Sequence, residues 1–270
     1  MPAKGSVTRR VMAMLMRYLY LHQRSVVRSF DIVFWPVIDL LVFSFLVLYL
    51  QQAASGPLAT VVIFIIGALI SWNLHYRGQQ ALTLSLLGEI YMRNLINLLI
   101  SPLRFWEWLA ACGLYGLLKV TAITILLSGL AYGLHAFAIW EIGWAFIPMA
   151  ITLLWFGWSL GVFTSGLLIR YGLAAEAMIW GVPFLVQPFS CVLYPVESLP
   201  GWAQAIAKAL PTSYAFEGLR AALQQQSIPL QLWLAAIGLN ILYLVLGVGF
   251  FAWCIRDAQT TGQLGRLGQR

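Results

Sequence analysis

Charge is scarce in this chain. Asp, Glu, Lys and Arg together make up 9% of its 270 residues, while 61% are hydrophobic; an ordinary soluble domain carries about 25% charge. That deficit excludes a soluble globular domain and predicts a polytopic membrane protein. Cysteine is rare as well. Cys112, Cys191 and Cys254 fall in or near separate apolar runs with no paired spacing, so neither a disulfide framework nor a metal site is indicated. Catalytic constellations are missing: His22, His75 and His135 are isolated and read as interfacial, and there is no H-E-x-x-H, no aspartate-rich pair for diphosphate and Mg, and no G-x-S-x-G. The chemistry of a membrane enzyme is therefore absent. A G-x-x-x-x-G-K-[ST] phosphate loop is lacking too. Work driven by nucleotide would need a separate chain to carry ATP and Mg, and this chain is expected to hold no cofactor of its own. Acidic residues number nine against 16 Lys and Arg, a net charge of +7; topology and anionic lipid account for that excess without nucleic acid.

What is present is length and apolarity. Six runs, near 30–50, 58–82, 106–132, 144–169, 174–193 and 230–255, are each close to the roughly 20 residues that cross a hydrocarbon core of about 30 Å. The expected fold is all-α and polytopic, one transmembrane domain over 1–270. Within it are a cytoplasmic amphipathic helix at 1–29, a six-span core at 30–255 and a cytoplasmic tail at 256–270. The core contains a short bridge helix at 88–102 between spans two and three, and an outer re-entrant segment at 184–224 between spans five and six. No cleavable leader pattern precedes the first run, so that run is expected to serve as the insertion signal.

Basic residues orient the chain. Lys4, Arg9, Arg10, Arg17, Arg24 and Arg28 occupy the first thirty residues, Arg77, Arg93 and Arg104 lie between runs two and three, Arg170 follows run four, and Arg256, Arg266 and Arg270 end the chain. Only Lys208 and Arg220 fall on the opposite side. The positive-inside bias puts both termini in the cytoplasm and 184–224 outside. At 100° per residue Arg10, Arg17, Arg24 and Arg28 share one face, with Val11, Leu15, Leu19 and Val26 on the other. The spacing predicts an amphipathic helix lying in the cytoplasmic interface, basic face toward water and membrane lipid below.

The bridge, LGEIYMRNLINLLISPLRFWEW, starts near Glu89, carries Arg93, and stops at Ser101 and Pro102, because the residue before proline is pushed from the α region. Tyr91, Leu95, Leu98 and Leu99 recur at helical spacing, as anchors of a helix docking in a partner's groove do; a plain interfacial connector is the alternative. Asp39 and Lys119 sit deep in runs one and three, where a charge costs about 2.5–3.5 kcal/mol. Three readings stand open for them: an ion pair with each other, a wet pathway, or, for Asp39, a protonated carboxyl. Asp31 and Glu107 sit near helix starts and read as dipole partners. Gly157 and Gly161 form a G-x-x-x-G, and Gly113 and Gly116 also permit close helix approach, weak signs of a dimer face. Prolines 183, 188, 195, 200 and 211 break 184–224, and irregular backbone at membrane depth persists only where protein or a wet cavity shelters it.

In this order, the amphipathic N-terminus, six runs, LLISPLRFWEW, YPVESLPGW and LPTSYAFEGLR resemble the membrane subunit of type 2 ABC exporters over essentially the whole chain, departing from that pattern at Asn94 and Asn97. The resemblance implies two copies of the chain, each coupled to one of two cytoplasmic ATPase subunits. Coupling would run through the bridge, with Glu89, Tyr91, Arg93, Leu95, Leu98 and Pro102, and through the N-terminal helix. It also implies an outer gate at Pro195, Glu197, Pro200, Trp202, Pro211, Tyr214, Glu217 and Arg220, with Trp202 to Leu223 as its closing helix and Glu217 pairing with Arg220. The location implied is the bacterial inner membrane. The cargo implied is an amphiphile: a lipid, a lipo-oligosaccharide or a hydrophobic small molecule, with a polysaccharide or lipid-linked glycan as the alternative. A different class, a proton-driven secondary transporter working through Asp39 and Lys119, would require repeated halves, and no convincing repeat is visible.

Overall fold

A computed structural model describes residues 6–53, 59–135, 143–224 and 228–261 of the chain, and every regular element among them is helical. In order these are α1 (Val7–Gln23), α2 (Val26–Ala53), α3 (Ala59–Tyr91), α4 (Leu95–Ile100), α5 (Phe105–His135), α6 (Phe146–Tyr171), α7 (Glu176–Val186), α8 (Gly201–Lys208), α9 (Pro211–Leu223) and α10 (Leu230–Thr260). Four segments are long and apolar enough to cross a membrane: Ile32–Tyr49, Phe105–Leu134, Gly143–Ser190 and Leu230–Thr260. That is compatible with an integral membrane protein.

The axis of the bundle is α3. It packs most broadly on α6, which packs on α10, and α5 lies on its other flank. Sequence polarity at Ser71, His75 and Arg77 suggested an end near 82, yet α3 runs on to Tyr91 for 33 residues, about 50 Å at 1.5 Å per residue. The reason is burial. Leu82, Leu86, Leu87 and Ile90 extend its apolar face, and Ser71, His75, Arg77, Gln79, Gln80 and Thr83 are buried against neighbouring helices. His75 is therefore a core residue stacked on Phe156, with ring centroids 5.1 Å apart, and not an interfacial one.

Glycines set the crossing distances. A Cβ on Gly157 would collide with the His75 carbonyl oxygen, and one on Gly161 would lie 2.8 Å from that of Gln79. The G-x-x-x-G motif thus forms the α3–α6 crossing inside the chain, where missing side chains let two backbones meet. Gly116 is pressed against Ala81 in the same way, and Gly247 of α10 sits where a Cβ would fall 2.9 Å from the Ser159 carbonyl.

Two other expectations change shape. The fifth run forms an 11-residue α7, about 16 Å long, half the hydrocarbon thickness. It follows Gly172, whose φ of 63° breaks the path from α6. The closing helix expected over 202–223 is two helices, α8 and α9, because Pro211 starts a new one and holds Leu210 extended. The ends of α1, α3, α6 and α10 and the start of α5 share one apolar cluster that includes Leu15, Ile90, Trp108, Ile169 and Cys254. At the far end, Ile66, Leu127, Met149 and Phe216 belong to a second cluster.

Candidate functional site

At the α1 end two carboxylates are wholly removed from solvent. Glu89 on the last turn of α3 and Glu107 on the first turn of α5 are both 0% exposed. Each is matched by an arginine of α1. Arg17 donates through Nη1 and Nη2 to both oxygens of Glu89 at 2.6 and 2.9 Å, and Arg10 donates through Nε and Nη2 to those of Glu107 at 2.9 and 2.5 Å. Such bidentate, charge-assisted pairs fix orientation as well as distance. The arginines lie seven residues apart, two helical turns or about 10.5 Å, so α1 is held at two points along its length.

Neutral groups complete the lock. The Tyr18 hydroxyl donates to Glu89 at 3.3 Å and accepts from Trp108 Nε1 at 2.8 Å. The Asn94 amide donates to Glu89 at 2.7 Å, and the Arg104 backbone N–H donates to Glu107 at 2.9 Å. Hydrogen bonds donated to the carboxylates raise the Arg10 and Arg17 pKa values, and burial raises that of Tyr18, so the guanidiniums stay charged and the hydroxyl stays a donor.

The apolar face of the N-terminal helix, Val11, Leu15 and Leu19, packs on the core cluster, but Arg10 and Arg17 meet buried carboxylates where water was expected. Arg10 and Arg17 point inward beside buried Met14, Leu15 and Tyr18, while Met12, Met16 and Tyr20, four residues apart, form an exposed apolar stripe. Arg24 ends α1 as its C-cap. Arg28 falls in α2, and its side chain lies outside the described residues.

The bridge is shorter than 88–102. Glu89 and Tyr91 belong to α3, which closes when the Arg93 N–H bonds the Ile90 carbonyl at 3.0 Å and the Asn94 N–H bonds that of Glu89 at 2.8 Å. Arg93 itself takes a left-handed φ of 52°, a position usually held by glycine. Leu95 is buried and Leu98 half-buried, while Ile96, Ile100, Tyr91 and Met92 are exposed, Ile100 at 77%. Pro102 is exposed beyond the helix. Exposed apolar anchors are thus available, but they are the residues beside those picked out by spacing.

Beneath α1 lies a half-open cleft of about 300 Å³, lined by side chains of α1, α2, α3, α5 and α7, Lys119 and Trp180 among them. The Lys119 ammonium sits 5.0 Å from the Tyr115 ring centre. Asp39 is an exposed α2 residue that feels the charge of Arg77.

The polar side chains of 184–224 bond mainly within the segment, while α9 packs on α6 and α10 and Arg220 lies 4.6 Å from the Phe64 ring centre. Arg220 donates to Glu217 at 2.7 Å and to the carbonyls of Cys191 and Tyr194, and Glu217 accepts from the Val196 N–H at 3.0 Å. The Tyr214 hydroxyl donates to the Lys208 carbonyl at 2.8 Å, and that of Thr212 to Ser190 at 2.8 Å. Pro195, Glu197, Pro200 and Trp202 lie exposed on its surface, whereas Pro211 is buried at the α9 start.

Sequence reasoning missed Glu107 as a partner of Arg10, and Tyr18, Asn94 and Trp108 as parts of the lock. A usable signal was there: with only nine acids in the chain, two of them flank the bridge, and arginines recur at a seven-residue spacing in the preceding helix. No group of three or more potential metal ligands occurs among the described residues. The chain matches no protein-family model and no curated protein.

Proposed function

We propose that this chain is the membrane subunit of an ATP-driven exporter, pairing with a second copy and coupled to two copies of a separate cytoplasmic ATPase. The reading takes α2, α3, α5, α6 and α10 as full spans and α7, with the broken segment after it, as the fifth of six. Both termini then face the cytoplasm of a bacterial inner membrane, and α8 and α9 form an outer gate. The cargo is an amphiphile, with a polysaccharide or lipid-linked glycan as the alternative.

The observation that carries this reading is the lock at the α1 end. Exposed Ile96 and Ile100 sit on a six-residue helix joined to α3, and α3 is clamped through Glu89 to α1. A partner pushing on α4 would move α1, α3 and α5 together, which is what a force-transmitting contact requires. Such a short apolar knob fits a groove on a soluble partner.

The test is co-purification followed by ATPase assay in liposomes. Ile96→Glu with Ile100→Glu is expected to lower the ATPase stimulation by the membrane subunit about 10-fold or more, as loss of interface anchors does, with insertion unchanged. Co-purification without any nucleotide-binding subunit, together with transport driven by an ion gradient alone, would overturn the reading. The buried row of His75, Gln79, Thr83 and Thr164, joined in part by Gln79 donating to Thr164 at 3.1 Å, favours a second reading, proton-driven transport. That reading requires transport to collapse when a protonophore removes the gradient.

A further inference from the structure

The 11-residue α7 is thinly held. Of its side chains Ile179 and Pro183 are buried, while Met178, Trp180, Phe184 and Leu185 are exposed, and an element with so little buried surface opens at low cost. It is also jointed at both ends. Gly172 takes a positive φ of 63° before it, and Pro188 sits in a 3-10 turn over Gln187–Ser190 after it. Inside, Pro183 adds a further break: a helical N–H at that position would bond the Ile179 carbonyl four residues back, but proline has none and its ring crowds that oxygen. The bond is supplied from another helix. Gln79 of α3, 0% exposed, donates through Nε2 to the Ile179 carbonyl at 3.3 Å. Because a carbonyl only accepts, the amide must present its nitrogen there.

The same nitrogen has competing acceptors. The Thr164 hydroxyl lies 3.1 Å from it and the Thr83 hydroxyl 3.4 Å, and a primary amide has two hydrogens for these three oxygens. We propose that Gln79 is a latch between two positions of α7: closed, with its hydrogens on Thr164 and the Ile179 carbonyl, and open, with both on the threonines and α7 free to pivot about Pro183. Opening leaves the rest of the α3–α6 crossing bonded, since Thr83 and Thr164 lie 2.8 Å apart and donate to the Gln79, Gly161 and Leu160 carbonyls. One hydrogen bond is lost at α7 and another is made at Thr83, the near balance that a two-state element needs. The pivot moves Trp180, the residue after Ile179, which lines the cleft beneath α1. The latch therefore sets how open that cleft is on its α7 side. It depends on the fold alone and stands whichever transport reading holds.

The test is hydrogen–deuterium exchange of the full chain purified in detergent, read on peptides of α7 and, as a control, of α6. Gln79→Leu removes the donor at nearly constant size and is expected to speed exchange in α7 about 5-fold, the worth of one hydrogen bond, with α6 unchanged. Pro183→Ala gives the Ile179 carbonyl an N–H of its own helix and should slow exchange in α7 by about the same factor. In the Pro183→Ala background Gln79→Leu should then leave α7 unchanged, because the carbonyl no longer needs the amide; a loss of core packing at Gln79 would persist there. The Pro183→Ala arm keeps the proposal testable if Gln79→Leu fails to fold. Unchanged α7 exchange in either folded single variant, equal acceleration of α6 and α7 in Gln79→Leu, or an undiminished effect of Gln79→Leu beside Pro183→Ala overturns the proposal. Exchange is read without an ATPase or an ion gradient, so failure of the exporter reading leaves these outcomes unaffected.

Discussion

The two ends of the bundle solve the same problem differently. At the α1 end, buried carboxylates meet guanidiniums 72 and 97 residues away in sequence, so α1, α3, α4 and α5 become one block. At the α8–α9 end, side chains mostly satisfy backbone groups nearby: Arg220 reaches the Cys191 carbonyl 29 residues away, Tyr214 reaches Lys208 across six and Ser213 reaches Leu210 across three. The first network joins elements, and the second closes one segment on itself. A self-contained segment resting on α6 and α10 can shift without breaking its own bonds, whereas the α1 block must move whole or come apart.

The largest expected effect follows from removing one buried partner at the α1 end. Glu89→Ala strands Arg17 and takes an acceptor from Tyr18 and Asn94. Breaking a buried pair costs about 3–5 kcal/mol, and we expect about 2–4 here because Arg17 keeps part of its side chain in water. Thermal unfolding in detergent measures the loss, and faster tryptic cleavage at Arg17 and Arg24 reports release of α1. The charge exchange Arg17→Glu with Glu89→Arg should recover part of it. If Glu89→Ala costs no more than removal of Arg220, the contrast between the two ends is wrong.

Arg220→Ala is the matched cut at the other end. Its side chain, 13% exposed, serves Glu217 and two carbonyls, and loss of such charge-assisted bonds is expected to cost about 1.5–3 kcal/mol. The effect should stay local. Alkylation of buried Cys191 should rise while Cys112, at the α1 end, keeps its protection, and tryptic cleavage of α1 should not change. A parallel rise at Cys112 would show that the two ends are coupled more tightly than their bonding suggests.

The asymmetry of the ends also governs what could be read beforehand. The helical membrane class and the broken segment were legible because composition and proline act locally. The direction of the arginine face was not, because a 100° period says which residues share a face and nothing about whether that face meets water or a buried carboxylate. Polar residues from Ser71 to Arg77 looked like the end of a span for the same reason; Ser71 and Asn73 bond carbonyls one turn back on α3 and His75 stacks on Phe156 of α6, and the helix runs on to Gln79 and Glu89, whose partners lie on α6, α7 and α1. The Glu217 and Arg220 pair was found because it is an i, i+3 contact, but its bonds to the Cys191 and Tyr194 carbonyls were not, since they depend on how the chain folds back.

The smallest effect differs between the two ends. Among the described residues each end holds one non-glycine residue in the left-handed region, Arg93 with φ 52° and Cys191 with φ 54°, where an L side chain costs roughly 1–2 kcal/mol and glycine costs little. Arg93 is exposed, so Arg93→Gly loses almost no packing and is expected to raise stability by about 0.5–1 kcal/mol by thermal unfolding, tightening the turn that Glu89 caps. Cys191 is 0% exposed. Cys191→Gly relieves the same strain but removes a buried side chain worth about 1 kcal/mol, and the two should nearly cancel. Equal gains at both sites would mean that Cys191 contributes no packing to its turn.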